Sequence, residues 1–558
     1  MTESFALPSR PLATGLLRRL PSWLGAACLL LAACTVLARE PLFVVRVAGV
    51  NRLLEDVDYL TALAERPELA GFVRGLPGIV NDLRGLDRAR PICLAAYVPA
   101  DGKVGKHMDV ALLVPVTDTA ALQKTIGMTK RAKLVAGESE GRFVLEAPRR
   151  TIPVRVIDGW AVVSEQEELL KDLSPESIVG TSEGSQPDIV VRLNWAGLPE
   201  AIRAEVIRKM ERDRDQERTQ RESEDEAEFA IRQGVLDVLL TAGRTILRDL
   251  SGTVLTVDID AGRRQVVAVA SFVPRDGCSL ERAIAELPVE SQFSEPVGRS
   301  AAGVLAISCR TPEFIRKGTQ EVLDKIAART DGEVTNEVEA KLVRQILDLV
   351  QDGLCGERYD GFVAVTPTEQ STISLAAAVR SGLTDEAETL LGWILPEAAK
   401  HEDVKSIAMK ALVTEGIAFH RITPADPRAE DEEVFGAAPS IYIGTGHGAI
   451  WVGMGGAPIE STLKSLVSPA EPSDEAREGS PVAMLSMHLR PWAGIIAAKG
   501  DGPVRVRDAM ADAIRAGEAD EVSLKLRASE AGLTATLRAD DLLLKTLFAA
   551  IAAEQGDE

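Results

Sequence analysis

Residues 154–164 read Val-Arg-Val-Ile-Asp-Gly-Trp-Ala-Val-Val-Ser, and this stretch decides the kind of sheet that the chain can form. Two runs rich in β-branched and aromatic residues flank the dipeptide Asp158-Gly159, whose residues accept the backbone angles of a tight two-residue turn. The pattern predicts a β-hairpin with strands at 154–157 and 160–164. Strands joined by so short a turn run antiparallel, because a parallel pair needs a long crossover connection.

The same order of elements occurs twice along the chain, which indicates an internal repeat. The pattern in residues 89–173 predicts two strands, a helix, three further strands and a helix, and residues 360–466 show that order again. A second pair of segments, 188–197 and 482–494, also matches, because each is an apolar run that ends in Trp-Ala-Gly. The loops between the matching segments differ in length, so the repeat is one of architecture more than of residue identity.

The repeat divides the body into two halves, residues 41–290 and 298–556, after an N-terminal segment of residues 1–40. Each half is expected to contain modules ordered strand, helices, two strands, helix. The predicted class is therefore α+β, with tandem-repeated modules of mainly antiparallel sheet and helices on one face, after an N-terminal signal or anchor helix. Residues 288–300 hold two prolines, a glycine and three serines, which is typical of a linker. The halves are predicted to be separable folding units, and the alternative is one continuous sheet across the junction.

One segment of the first half breaks the pattern. Residues 208–228 are mostly charged, with opposite charges at spacings of three and four that favour a helix. Apolar residues at helical spacing precede and follow this run, so a charged helical hairpin is predicted over about residues 198–250. Its charged end is either a solvated tip or a docking surface for a partner.

The N-terminal segment predicts a location outside the cytoplasm. Three arginines in the first 19 residues precede residues 20–38, which contain no charged residue. A basic region before an apolar run is the pattern of an export signal, and the run is also just long enough to span a bilayer, which takes about 20 residues. Three outcomes stay open: an uncleaved membrane anchor, cleavage after Ala38, or lipidation of Cys34 in the lipobox-like Leu31-Ala32-Ala33-Cys34. Each predicts a cell-envelope protein that is membrane-anchored or exported.

Composition excludes several classes of protein. The 558 residues are 46% hydrophobic with a mean hydropathy of +0.04, which is typical of globular material and not of a disordered or multi-span membrane protein. The net charge of −21 repels phosphate backbones, so nucleic acid is not an expected partner. Six cysteines are widely spaced with no CxxC pair, which excludes a zinc framework. One disulfide among Cys93, Cys278, Cys309 and Cys355 stays open.

Two glycine-rich motifs resemble catalytic or cofactor signatures. Residues 180–184 match GxSxG with Ser182 at the centre, but a nucleophile elbow needs a strand before the serine and a helix after it. A strand follows here instead, so a linker is predicted. Residues 444–449 loosely match GxGxxA, yet a dinucleotide site requires a helix at that point and the chain continues into apolar residues 450–452. A hairpin turn is predicted there.

The remaining candidates are weaker. Residues 461–464 match SxxK, but the chain has no accompanying KTG, and the segment has a counterpart in the helix predicted at 166–173. Asp258 and Asp260 lie on one face of a predicted strand, where arginines across the turn indicate a solvated surface. No metal-ligand spacing links the five histidines, which are His107, His401, His420, His447 and His488. The sequence thus predicts no catalytic, cofactor-binding or metal-ligating residue and no cofactor.

The export segment and two local motifs resemble those of uncharacterised bacterial envelope proteins, exported or membrane-anchored, that carry a repeated domain of unknown function. The motifs are the Asp-Gly turn of residues 156–160 and the Thr-Pro-Glu-Phe opening of a helix at 311–314. The resemblance implies an envelope location and offers no catalytic or binding residues.

Two functions from different classes follow. The first is a non-catalytic extracytoplasmic envelope protein that uses repeated sheet surfaces for binding or scaffolding, with a protein, a peptide or a lipid-like molecule as ligand and the membrane as partner through the N-terminal segment. The alternative is an unrecognised exported enzyme of the hydrolase class. An enzyme needs a cleft with converging polar groups, whereas a binding protein needs an exposed apolar surface or a free strand edge.

Overall fold

The computed structural model describes residues 40–555 apart from several gaps. The gaps are residues 66–70, 72, 74, 76–80, 100–107, 130–131, 181–186, 222–223, 225, 294–300, 334–336, 369–371, 428, 437–438, 468–480, 500–502 and 518. The N-terminal segment with Cys34 and the predicted anchor or signal lies outside the described residues, as does Ser182.

Strands and helices alternate in both halves of the chain. The strands of the first half are β1 (Phe43–Val47), β2 (Ile92–Tyr97), β3 (Asp109–Pro115), β4 (Lys133–Ala136), β5 (Arg142–Ala147), β6 (Arg150–Ile157), β7 (Trp160–Ser164), β8 (Ile189–Asn194), β9 (Leu250–Asp260) and β10 (Gln265–Pro274). Its helices are α1 (Val50–Leu63), α2 (Thr119–Met128), α3 (Glu167–Asp172), α4 (Pro175–Val179), α5 (Glu200–Gln216), α6 (Glu226–Asp249) and α7 (Ser279–Glu286).

The second half contributes the other ten strands. They are β11 (Gly303–Arg310), β12 (Arg358–Pro367), β13 (Ile373–Arg380), β14 (Val404–Thr414), β15 (Ile417–Pro424), β16 (Ser440–Gly446), β17 (Ala449–Gly455), β18 (Ala483–His488), β19 (Glu521–Ser529) and β20 (Gly532–Asp540). The helices are α8 (Glu313–Glu333), α9 (Glu337–Cys355), α10 (Thr384–Ala398), α11 (Ala429–Phe435), α12 (Ile459–Val467), α13 (Ala493–Lys499), α14 (Val504–Ala516) and α15 (Asp541–Gln555).

All twenty strands of the described residues belong to one open, antiparallel sheet. Their order is β4-β5-β6-β7-β3-β2-β1-β8-β9-β10-β20-β19-β18-β11-β12-β13-β17-β16-β15-β14. The halves meet at the centre, where β10 pairs with β20 from Gln265 opposite Asp540 to Phe272 opposite Leu533. When the strands are counted from each outer edge of the sheet towards the centre, the two halves have the same order. β4-β5-β6-β7-β3-β2-β1-β8-β9-β10 in the first half corresponds to β14-β15-β16-β17-β13-β12-β11-β18-β19-β20 in the second.

The hairpin predicted from residues 154–164 is confirmed as β6 and β7. Asp158 and Gly159 take φ angles of 51° and 73°, the left-handed conformation that a two-residue hairpin turn requires. The predicted α+β class with mainly antiparallel pairing is likewise confirmed.

The prediction of helices on one face only is wrong at the ends of the sheet. Trp160 and Val162 of β7 belong to a core that α3 and α4 close, whereas the alternate residue Ala161 belongs to a second core with Leu122 of α2. Because successive strand residues point to opposite faces, both faces of the outer strands are covered. The first four residues of β7, Trp160 to Val163, are all apolar, so the sequence pattern assigns no solvent-facing side to this strand.

The largest core lies in the second half. Phe293, Phe362 and Trp451 meet edge to face, with ring centroids 5.2–5.9 Å apart. The buried residues Leu463 and Leu466 of α12 belong to this cluster. Phe293 comes from the segment between the two halves, so that segment is packed into the second half up to this residue, which is not the behaviour of a solvated linker.

The long helices form two neighbouring hairpins. The first is α5 with α6, within the span predicted for the charged hairpin, and the second is α8 with α9. Gly234 of α6 lies against Val322 of α8, and Gly318 of α8 lies against Val238 of α6. Among the residues that the structure describes, no helix is long and apolar enough to cross a membrane. The four cysteines of the body, Cys93, Cys278, Cys309 and Cys355, are free.

Candidate functional site

None of the described residues covers one face of the central strands, and we call the apolar surface there the open face. In an antiparallel pair, directly opposed residues project to the same side, so the register assigns each residue to a face. Val45 of β1 is opposite Leu94 of β2 and Val191 of β8. Each of these residues is in turn opposite a residue of the next strand, so a row of partners runs across the sheet. The open face consists of two such rows of partners, one running from β2 to β13 and the other from β3 to β13.

The two rows contain only aliphatic residues and one glycine. The first row is Ile92, Val47, Ile189, Val257, Ala268, Leu537, Leu524, Leu485, Leu305, Val363 and Ala377. The second row is Leu112, Leu94, Val45, Val191, Leu255, Ala270, Ala535, Leu526, Ala483, Ile307, Gly361 and Val379. No position in either row carries a charge or a hydrogen-bonding side chain.

Four leucines on adjacent strands form the middle of the first row. Leu537, Leu524, Leu485 and Leu305 are 42%, 42%, 48% and 46% exposed. A leucine inside a sheet is shielded laterally by its neighbours, so this exposure means that nothing among the described residues covers it from above. Fully burying an exposed leucine is favourable by about 1.5–3 kcal/mol, so a ligand that covers the exposed part of each of these side chains would recover about 1 kcal/mol per position.

The open face is larger than the apolar patches of ordinary monomers. Strands lie about 4.8 Å apart and alternate residues about 7 Å apart, so two rows over twelve strands cover roughly 50 by 14 Å, or about 700 Å². The largest apolar patch on a typical monomer is about 300–600 Å², and larger ones mark interaction sites.

The opposite face of the same strands is different in character. Thr536 and Arg538 flank Leu537 on β20, and Ser523 and Lys525 flank Leu524 on β19. The polar residues of these two strands therefore lie on the opposite face and the apolar residues lie on the open face, which is the reverse of a sheet that buries its apolar face in a core.

Helix α9 carries an apolar stripe that meets the open face at one end. Ile346 and Val350 are exposed, and Gly353 continues their stripe at a spacing of three residues. A Cβ on Gly353 would lie 3.9 Å from Val379 Cγ2, in the second row on β13. The stripe thus starts in contact with the sheet and continues along the helix through Ile346 and Val350, which no described residue covers fully.

A second exposed stripe lies on α6. Val235, Leu239 and Ile246 are 51%, 59% and 44% exposed. At 100° per residue they share one side of the helix, and Asp237 and Arg244 lie on the opposite side, where they pair with residues of α5. The two-sided pattern is that of a helix with a solvated charged side and an apolar side that lacks a partner among the described residues.

The GxGxxA-like motif of residues 444–449 lies in a β-hairpin, and the SxxK motif of residues 461–464 lies on a helix. Residues 444–449 are the end of β16, a turn and the start of β17, with His447 and Gly448 at φ angles of 54° and 66°. Ser461 and Lys464 lie on α12, and the Ser461 hydroxyl donates to the backbone carbonyl of Pro458. Of the GxSxG motif, Gly180 is described and its serine is not.

One buried histidine has polar partners. His420 of β15 is buried, its Nε2 lies 3.4 Å from Glu388 Oε1, and the Thr445 hydroxyl donates to Glu388 Oε2 at 2.8 Å. The carboxylate is therefore between the hydroxyl and the imidazole. A nucleophile–base pair needs the imidazole in contact with the hydroxyl, so this arrangement fastens α10 to the sheet and does not activate Thr445.

An acidic cluster anchors α1 to the face opposite the open face. Arg52 Nε donates to Asp188 Oδ1 at 2.9 Å and lies 3.6 Å from Asp56 Oδ1, and Arg52 Nη2 is 3.6 Å from Asp258 Oδ1. Burial and the adjacent charge of Asp188 raise the pKa of Asp56 to about 7. Burial likewise raises the pKa of Asp258. Within the described part of the chain, no group of three or more His, Cys, Asp or Glu residues could hold a metal ion.

Comparisons with protein-family models, curated proteins and solved structures find no match for this chain.

Sequence reasoning identified the strands of the open face but not the surface itself. Residues 482–489 and 188–193 were recognised as apolar strands, and an apolar strand ordinarily predicts a core position. The readable signal was the strict alternation in β19 and β20, Val-Ser-Leu-Lys-Leu-Arg and Leu-Thr-Ala-Thr-Leu-Arg, which marks a sheet with one apolar side.

Proposed function

We propose that this protein is a non-catalytic binding protein of the bacterial cell envelope, and that the open face binds an apolar ligand. The observation that carries the proposal is the pair of charge-free rows, whose central leucines are 42–48% exposed. An uncovered apolar surface of this size is unfavourable in water, so a ligand that covers it gains free energy from its full contact area.

The location is part of the same proposal. The basic and apolar pattern of the first 38 residues supports export with an uncleaved anchor, a cleaved signal or lipidation of Cys34. We further propose that the two halves are tandem copies of one unit, which agrees with the resemblance to envelope proteins that carry a repeated domain. The matching strand orders on the two sides of the β10–β20 ladder support this duplication.

The test uses a neutral environment-sensitive dye, Nile red, with the purified protein. Leu485→Glu places a charge in the middle of the first row, and Ser486→Glu places the same charge one residue later on the other side of β18. We expect the wild type and S486E to bind the dye and L485E to lose most of the signal, with circular dichroism showing that both variants are folded.

Equal dye binding by L485E and S486E would contradict the proposal, since the open face would then not be the binding surface. A turnover product found after incubation with cell metabolites would instead favour an exported enzyme.

A further inference from the structure

We propose that the occupant of the open face is the hydrocarbon of a membrane lipid whose headgroup is zwitterionic or uncharged. This inference rests on the function proposed above and names its ligand class. It follows from where the chain enters the sheet, from the charges around the face and from the stripe on α9.

The chain enters the sheet directly after its apolar N-terminal run. Residues 20–38 carry no charge, and β1 begins at Phe43. Residues 39–42, which connect this run to β1, span at most about 15 Å when extended. Val45 and Val47 of this strand are members of the two rows. An anchor that ends at residue 38 would thus hold the β1 part of the open face within about 15 Å of the membrane surface, and a lipid on Cys34 would hold it within about 30 Å, where lipid is the most concentrated apolar ligand.

The charges favour hydrocarbon over a protein partner and disfavour an anionic headgroup. The rows offer no donor, acceptor or charge that could fix the orientation of a peptide, whereas protein interfaces carry about one hydrogen bond per 100–200 Å². The net charge of −21 repels anionic lipids and also a second copy of this chain. Acyl chains, which need contact area alone, fit the surface.

The exposed stripe on α9 supplies a second wall for such chains. The C-terminal end of the stripe, at Gly353, lies beside Val379 of the second row. Ile346 and Val350 continue the stripe along α9, away from that contact. An acyl chain seated beside Val379 would contact the sheet on one side and these residues on the other. A surface bounded on two sides removes more of a chain from water than a flat one does, which favours binding.

The experiment labels the protein from the lipid side. The full chain is reconstituted in phosphatidylcholine vesicles that contain a trace of phosphatidylcholine with a diazirine at the end of one acyl chain. After irradiation, mass spectrometry locates the labelled peptides. We expect label on β11, β18, β19 and β20 of the wild type.

Leu537→Glu should lower that labelling about tenfold, because a charge placed against hydrocarbon without a partner is strongly unfavourable. Thr536→Glu is the matched control, since it adds the same charge to the other face of β20 and should leave the labelling unchanged. Vesicles of phosphatidylglycerol should label the strands less than phosphatidylcholine does.

Label confined to residues 20–38, or equal labelling of L537E and T536E, would overturn the lipid assignment. A wild-type dimer that excludes label and dissociates in L537E would overturn it in favour of a second copy as occupant. In each of these cases Nile red binding that depends on Leu485 would leave the proposed apolar-ligand function standing, so the two failures are distinguishable.

Discussion

At the scale of single residues, the buried carboxylates under α1 make stability depend on pH. Asp56 is buried, and its pKa is raised from 3.8 to about 7 by burial and by Asp188. The folded state therefore keeps a proton on Asp56 at a pH where the unfolded chain has already lost it. By linkage, this group's contribution to the free energy of unfolding is largest at low pH and declines between about pH 4 and pH 7.

Asp56→Asn should remove this decline, because the amide has about the same shape and no charge to bury. We expect D56N to gain stability relative to the wild type as the pH rises from about 5 to about 8. Thermal unfolding of both proteins at several pH values measures the effect. Glu55→Gln, at an exposed position on the same helix, is the control and should show no such trend. A constant difference between D56N and the wild type across the range would contradict the assignment.

At the scale of elements, the two helical hairpins are joined by a reciprocal glycine–valine contact. Gly234 and Val238 are four residues apart on α6, and Gly318 and Val322 are four residues apart on α8. Each glycine receives the valine of the other helix, and a Cβ on either glycine would clash with that valine. Close approach of the helices thus depends on the absence of two side chains.

Gly318→Ala should destabilise the protein by about 1–2 kcal/mol, because the added methyl overpacks the contact with Val238. Gly392→Ala is the matched control on α10, where a Cβ meets nothing within 4 Å. The control should be stabilised by about 0.5–1 kcal/mol through the higher helix propensity of alanine. Urea unfolding of the two variants provides the comparison, and a stabilising G318A would show that α6 and α8 do not pack as described.

At the scale of the whole molecule, the halves share one sheet through the β10–β20 ladder. Separating them would strip eight paired residues from each strand and leave two long, unpaired edge strands. The pairing of β10 with β20 matches the alternative in which one continuous sheet crosses the junction, although each half also has cores of its own.

Expression of residues 41–290 and 291–556 as separate proteins, with Phe293 kept in the half whose core contains it, tests whether the halves are stable apart. We expect each piece alone to aggregate through its exposed edge strand and the two to be recovered as a soluble complex on co-expression. Size-exclusion chromatography of the single and co-expressed pieces measures this. Two monomeric, cooperatively unfolding halves would instead establish separable units, as the linker composition of residues 288–300 predicts.

Local architecture follows from the order of neighbouring residues, whereas the exposure of each surface follows from contacts between distant parts of the chain. The Asp158-Gly159 turn and the alternation along β19 and β20 specify antiparallel hairpins, because turn geometry and the period of two are properties of adjacent residues. The pairing of β10 with β20 joins residues about 270 positions apart, and no local pattern encodes such a choice. Whether Leu485 lies in a core or on a surface depends on that pairing and on where the helices pack. The sequence does not distinguish the two, because an apolar residue in a strand is compatible with either position.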